Sequence, residues 1–355
     1  MTHSTPTVVV LTAIPVEQKS MLETMVAVRQ EIHSAGTIFR LGRLLDSPWR
    51  VVLARTGQGN QMAAVIAERA ISHYRPDLVM MVGVAGGLHT DLSLGDVVVA
   101  EKVYAVHGGK VDPTGFRARP WSWAPGHGLA QRAELVASEN TWQNTLPDRP
   151  EAKAFVRPIA SGEVVLDSLD SPYAQQIKTH YSDAAAVEME GAGVALASHL
   201  NASVPVVVVR GISDHADGRK EHADQAGGQQ RAARNAAAFA VALLAALNPR
   251  GRSLRDQLLH GTAEERIAAV RQLHGRGNPN VVPLLVEGFY ATSDHEVSCH
   301  IIRALGESGT APAKTALLQL NPRYAIERLL IVDALGMPGE QSEGDEFPWD
   351  DDSGR

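Results

Sequence analysis

The chain of 355 residues has a formal net charge of -7, 44% hydrophobic residues and a single cysteine, Cys299. The length suggests two domains. The acid excess argues against a nucleic-acid or membrane-surface partner, and one cysteine leaves no disulfide framework or thiolate metal cluster within a chain. No basic region precedes the first apolar run, and no run approaches the ~20 residues that span a bilayer. The expectation is a soluble, cytoplasmic protein.

Thr7 to Ala13 reads as a buried first strand, and Pro15 suits the first turn of a helix. Glu17 falls at that junction, where by itself it is a charge favoured by the helix dipole. Thr37–Gly42 and Arg50–Thr56 read as a hairpin of strands. Gly57-Gln58-Gly59 then feeds a helix from Asn60 to Tyr74, a geometry that suits an anion or a hydroxyl-rich ligand. Met62 stands where a dinucleotide fingerprint needs its third glycine, so no nicotinamide or flavin cofactor is expected. Leu78–Val84 is a buried strand closed by Gly83-Val84-Ala85-Gly86-Gly87, and Asp96–Val106 is a long strand.

Residues 107–155 read as a loop-rich insertion, with Lys110, Arg117 and Arg119 close to Trp121 and Trp123. Such a segment is either a loop that holds a phosphate and a base or a solvated surface insertion. Val156–Gly162 is a strand and Ser171–His180 a helix. In Ala186 to Asp217 a short apolar run ends in Glu188 and Glu190. A small-residue helix follows, Gly191–Leu200, and then a strand, Val204–Arg210, ending in Gly211, Ser213, Asp214 and Asp217. Uninterrupted valines mark a strand covered on both faces. Acids just past such strands sit where open α/β sheets bind ligands, so Glu190 and Asp214 are expected to face one crevice.

An alanine-rich helix, Arg231–Leu247, ends at Asn248-Pro249-Arg250-Gly251, which reads as a domain boundary. From Leu254 the pattern is helical. Val270-Arg271-Gln272-Leu273-His274-Gly275 recurs as Ile302-Arg303-Ala304-Leu305-Gly306-Glu307 and as Val332-Asp333-Ala334-Leu335-Gly336. A period of about 30 residues is that of helix-pair solenoids, which often present a protein-binding surface. The expected division is an α/β domain over 1–248, HEAT-like helical repeats over 249–338, and an acidic, disordered tail over 339–355.

The motifs Thr56-Gly57-Gln58-Gly59, Val84-Ala85-Gly86-Gly87, Ser161-Gly162-Glu163, Val187-Glu188-Met189-Glu190-Gly191 and Ile212-Ser213-Asp214-His215-Ala216-Asp217 occur in order. With them, residues 1–248 resemble the nucleoside phosphorylase and nucleosidase superfamily, nearest the methylthioadenosine/S-adenosylhomocysteine nucleosidases. The resemblance implies a three-layer α/β/α domain with a mixed central sheet, and commonly a homo-oligomer. It implies that Asp214 protonates the purine N7, that Glu190 and Met189 hold the ribose hydroxyls, that Glu17 positions water, and that Ser213 orients Asp214. Gly57, Ala85 and Gly86 are expected around the substrate, and the Leu166 backbone at the base edge. No cofactor and no metal are expected.

The chemistry asks for these residue types on its own terms. Breaking an N-glycosidic bond builds cationic character on the ribose and requires the departing purine to be protonated. An acid near the base and carboxylates near the sugar meet both needs.

Two features depart from the family. Val164 and Val165 stand where it usually has an aromatic residue stacked on the purine, leaving Phe116 or Trp121 as candidate replacements. The longer insertion looks like versions of this domain fused to repeat or signalling domains, including effectors implicated in antiviral defence. There, Lys110, Arg117 and Arg119 would select a nucleotide. Two alternatives stay open: a purine nucleoside phosphorylase, and a nucleotide sensor without turnover that acts on a protein partner through its repeats.

Overall fold

The computed structural model describes residues 5–113, 115–146, 148, 151–218, 227–247, 253–274 and 278–337. The chain forms two compact units. One comprises Met1–Met25, Arg29–Gly42 and Trp49–Arg250; the other comprises Val26–Val28, Arg43–Pro48 and Gly251–Arg355.

The first unit begins with strand β1, Thr7–Thr12, and helix α1, Pro15–Glu23. Strands β2 (Val26–Ile32), β3 (Ile38–Arg43) and β4 (Arg50–Arg55) follow, then helix α2 (Asn60–Tyr74). Next come β5 (Leu78–Gly87), β6 (Val97–Ala105), β7 (Gly109–Asp112), β8 (Gly115–Ala118), β9 (Trp121–Trp123) and α3 (His127–Glu139). The unit is completed by β10 (Ala154–Ser161), α4 (Pro172–His180), β11 (Ala186–Glu188), α5 (Gly191–Leu200), β12 (Val206–Asp214) and α6 (Gly228–Ala246).

The main sheet has the order β11-β10-β6-β12-β5-β1-β4-β3-β2, with β9 added beside β6. It is mixed: β12 runs parallel to β5 and antiparallel to β6. β11 also pairs with β5 through Val187 and Gly86. That second pairing closes β5, β12, β6, β10 and β11 into a ring, which brings the ends of β5, β11 and β12 together. The valine-rich strands explain why the sheet is covered: β1 is buried at all six positions, and Val79, Met81, Val98, Val208 and Ile212 share one core with α2 and α5. Helices approach closely where glycine permits it. A Cβ built on Gly193 of α5 would lie 2.8 Å from the Asn60 carbonyl carbon at the start of α2.

Three expectations change. β12 runs on through Ile212 and Ser213 to Asp214, because β5 continues beside it as far as Gly87. Asp214 is therefore on the strand, not beyond it. The 107–155 insertion carries β7, β8, β9 and α3, with a 3-10 turn at Thr141–Thr145 whose Trp142 is fully buried against Phe239. β2 has no counterpart in the sequence reading. The boundary residues 248–251 and the acidic tail 339–355 lie outside the described residues.

The second unit contains α7 (Leu254–His260), α8 (Ala263–Leu273), α9 (Val282–Ala291), α10 (His295–Ser308), α11 (Ala311–Gln319) and α12 (Ala325–Leu335). Side-chain caps start four of them, at Ser253, Thr262, Asp294 and Thr310. Each satisfies backbone donors that the first turn leaves without partners. Their apolar faces share a core of Leu258, Phe289, Ile301, Leu305, Leu317 and Ile331. Among the described residues no helix is long and apolar enough to cross a membrane.

Candidate active site

The ends of β1, β5, β11 and β12 surround a cleft of about 620 Å³, its open mouth included, within the size range of small-molecule sites. Glu17, Met189, Glu190, Ser213 and Asp214 all line it, with Ala85, Gly86, Val165 and Leu166.

The cluster is built around Arg210, fully buried on β12. Its Nη2 pairs with Glu188 and donates to Glu190 Oε2 at 3.0 Å, and its Nη1 lies 3.9 Å from Glu17 Oε1. Buried arginine is tolerated only when its charge is answered, and three carboxylates answer it here. Burial works against the guanidinium charge, but Glu188, Glu190 and Glu17 raise its pKa above the ordinary value. A Cβ on Gly83 would collide with both Glu17 and Arg210, lying 2.7 Å from Glu17 Cδ. Gly83 thus makes room for the pair.

Each acid is also fixed by backbone donors. Glu17 Oε2 accepts from the Ala13 and Ile14 amides at 2.6 and 3.0 Å, and its Oε1 accepts from Val84 at 2.8 Å. The first two bonds cap α1, so the residue does serve its helix; the third ties it to β5. Burial raises the Glu17 pKa, although Arg210 and the three amides oppose the rise. Glu188 accepts from the Glu190 and Gly191 amides at the N-terminus of α5, where a carboxylate suits the helix dipole. Glu190 Oε1 accepts from the Gly59 amide at 3.0 Å. Burial, then Glu188 and Glu17, push Glu190 up to about 7 against the pull of Arg210. Neighbouring acids around one cation make a site able to hold a proton near neutral pH.

Asp214 comes from an irregular point of β12. Ile212 pairs with Ala85 and Asp214 with Gly86, leaving Ser213 as an extra residue. Such a bulge re-aims a strand-end side chain. The Ser213 hydroxyl donates to Asp214 Oδ2 at 2.8 Å, and the Ala216 amide donates to Oδ1 at 3.0 Å. Both residues are buried.

Not every expected residue reaches the cleft. Gly57 does not line it, although its neighbour Gln58 does; Gly57 supplies a turn with φ +78 ahead of α2. Lys110, Arg117 and Arg119 are exposed on or beside the β7–β8 hairpin, outside the lining. Lys110 sits opposite Arg117, and Arg117 pairs with Asp112 at 3.0 Å. Phe116 packs edge-on against His180, and Trp121 lies beside Trp123, 62% exposed. Neither takes the place of the missing aromatic; Val164 and Val165 themselves form that wall.

Arg210, Asn60, Gln58 and Gln229 were not anticipated. Asn60 Oδ1 accepts from Ser161 Oγ and the Gly193 amide while its Nδ2 donates to the Gly162 carbonyl, joining α2, β10 and α5. Arg210 had a signal: it is the one cation in the valine-rich strand VVVVRGISD. Among the described residues no group of three or more His, Cys, Asp or Glu is arranged to hold a metal ion.

The phosphorylase superfamily model matches residues 7–245, and the chain belongs to that superfamily. A HEAT-repeat model matches residues 252–336. The 5'-methylthioadenosine/S-adenosylhomocysteine nucleosidase of Neisseria meningitidis, solved with methylthio-immucillin-A, is 28% identical. Its TM-score is 0.57, over 68% of this chain and 99% of that one. The corresponding nucleosidase of Colwellia psychrerythraea 34H, solved with adenine, is 25% identical. Its TM-score is 0.59, over 70% and 99%. The futalosine hydrolase of Helicobacter pylori, 24% identical with a TM-score of 0.57 over 68% and 97%, shares the fold.

Proposed function

We propose that the first unit is an N-glycosidase that hydrolyses a purine nucleoside to the free base and a ribose product. The observation that carries this reading is the convergence of Glu17, Glu190 and Asp214, from three separate elements, on one cleft. The similarity to nucleosidases solved with methylthio-immucillin-A and with adenine supports it.

In this reading water attacks the anomeric carbon as the bond to the purine breaks. Glu17, whose pKa is raised by burial, takes the proton from that water, the direction that favours a general base. Glu190 and Met189 face the sugar, where ionised Glu190 accepts hydrogen bonds from ribose hydroxyls. Asp214 delivers a proton to N7 so that the purine leaves neutral, with Ser213 holding its carboxyl. Arg210 positions Glu188 and Glu190 and balances their charge. Val164, Val165 and Leu166 supply an apolar wall for the base. The basic hairpin of Lys110 and Arg117 is no part of this reading, which is for the nucleoside.

Hydrolysis is favoured over phosphorolysis because Glu17, a carboxylate able to take a proton from water, lines the cleft. A panel of purine nucleosides and nucleotides, analysed by mass spectrometry for free base, tests the proposal with Asp214→Asn as control. Release of adenine by the wild type and its loss in the variant are expected. Full activity in the variant would remove Asp214 from the mechanism.

A further inference from the structure

The sequence repeat that marks the second unit places arginine at the same position in two copies: Arg271 in VRQLHG and Arg303 in IRALGE. α8 and α10, which carry them, pack on each other. Between them lies a second open cleft, lined by Val270, Arg271, His274, His300, Arg303 and Glu307, with Ala304 at its floor. Two guanidinium groups and two imidazoles thus surround one carboxylate. That carboxylate, Glu307, is paired with His274. Arg271 and Arg303 are exposed, and among the described residues neither has an ion pair. The third copy has Asp333 instead of arginine, so the basic ladder stops at α10.

The chain itself carries a matching segment. Residues 343–352, EGDEFPWDDD, hold six carboxylates and no cation. The point of departure is close. α12 ends at Leu335 with Gly336 as its left-handed cap, and a Cβ on Gly306 of α10 would lie 2.7 Å from Ala334 Cβ. Gly306 stands between the lining residues Ala304 and Glu307. The described chain therefore ends one helix away from the cleft. Packed helix axes lie about 8–10 Å apart, and the five residues 338–342 reach about 16 Å when extended. Five extended residues thus span more than one packed-helix spacing.

We propose that the cleft between α8 and α10 is a binding site for an acidic peptide segment, and that residues 343–352 of the same chain occupy it. Carboxylates of that segment pair with Arg271 and Arg303, whose planar donors suit bidentate carboxylate binding. The interaction weakens as salt rises, because Arg271 and Arg303 are solvent-exposed.

Two measurements on the full chain test this. In the first, Arg271→Lys/Arg303→Lys keeps both charges and supplies amines for carbodiimide coupling. Isopeptide bonds from positions 271 and 303 to 343–352 are expected, suppressed at high salt. A mixture of isotopically light and heavy chains should show them within one chain. Coupling only to other carboxylates, or only between copies, would overturn the assignment. In the second, the six acids are changed to their amides and a fluorescent peptide of residues 340–355 is added. The amide variant should bind it at least about tenfold more tightly than the wild type, whose own segment competes at high effective concentration. Adding Arg271→Glu/Arg303→Glu should abolish that binding. Equal affinity in wild type and amide variant contradicts the proposal. So does an amide variant that binds a labelled oligonucleotide through these arginines and ignores the peptide.

Discussion

Glu190→Gln gives a direct reading of how the acid cluster is poised. Burial pushes the Glu190 carboxyl from its ordinary 4.5 up to about 7. Between those values the folded chain holds a proton that the unfolded chain has released. The stability this contributes is complete below pH 4.5 and is lost as pH rises through 7. At roughly 1.4 kcal/mol per pH unit, the loss from Glu190 is about 3 kcal/mol. Glutamine keeps the shape and cannot ionise. Urea unfolding can be followed through Trp49 and Trp142, both buried in the first unit. The stability of the wild type relative to Glu190→Gln should fall by about 3 kcal/mol between pH 4.5 and pH 8. Parallel curves, or a wild type that gains on the variant as pH rises, would refute the reasoning. Either result would mean that Arg210 and the Gly59 amide hold Glu190 ionised throughout.

Arg210→Met should destabilise the first unit by about 3–5 kcal/mol, because it leaves several buried acids without their cation; calorimetry measures this, and a neutral effect would show that the cluster is not held by charge. Gly83→Ala should cost about 1–3 kcal/mol by overpacking and lower kcat, since the added methyl displaces Glu17 or Arg210; unchanged kinetics would argue against the tight fit. Asp214→Asn should reduce kcat by about 10²–10⁴-fold, the usual worth of a general acid, with little change in KM; a loss confined to KM would assign Asp214 to binding alone.

Much of the cleft was legible because each acid sits at a strand end with its own signal. Glu17 follows a strand and a proline, Glu190 ends a short apolar run, and Asp214 follows a valine strand. The bulge that makes Asp214 point inward was not legible, since Ser213 becomes an extra residue only when β12 meets β5. In the sequence Arg210 reads only as the end of a strand. Its role depends on Glu188 and Glu190, about twenty residues upstream, and on Glu17 at the far end of the domain, which meet it only once the sheet closes. The basic residues of 107–155 misled for a related reason: proximity to tryptophans in sequence said nothing about which way the β7–β8 hairpin would face. The helical repeats were legible from their period alone, whereas β2, mostly exposed from Val28 onward, offered no comparable pattern.

The central claim concerns one bond and the molecule that breaks it. Turnover of the best purine nucleoside in water enriched in oxygen-18, without phosphate, tests it most directly. The account predicts free base without label and a ribose product carrying one oxygen-18 at the anomeric carbon, at a rate that added phosphate does not raise. A phosphate requirement with formation of ribose 1-phosphate, or binding of the nucleoside with no release of base, would contradict it.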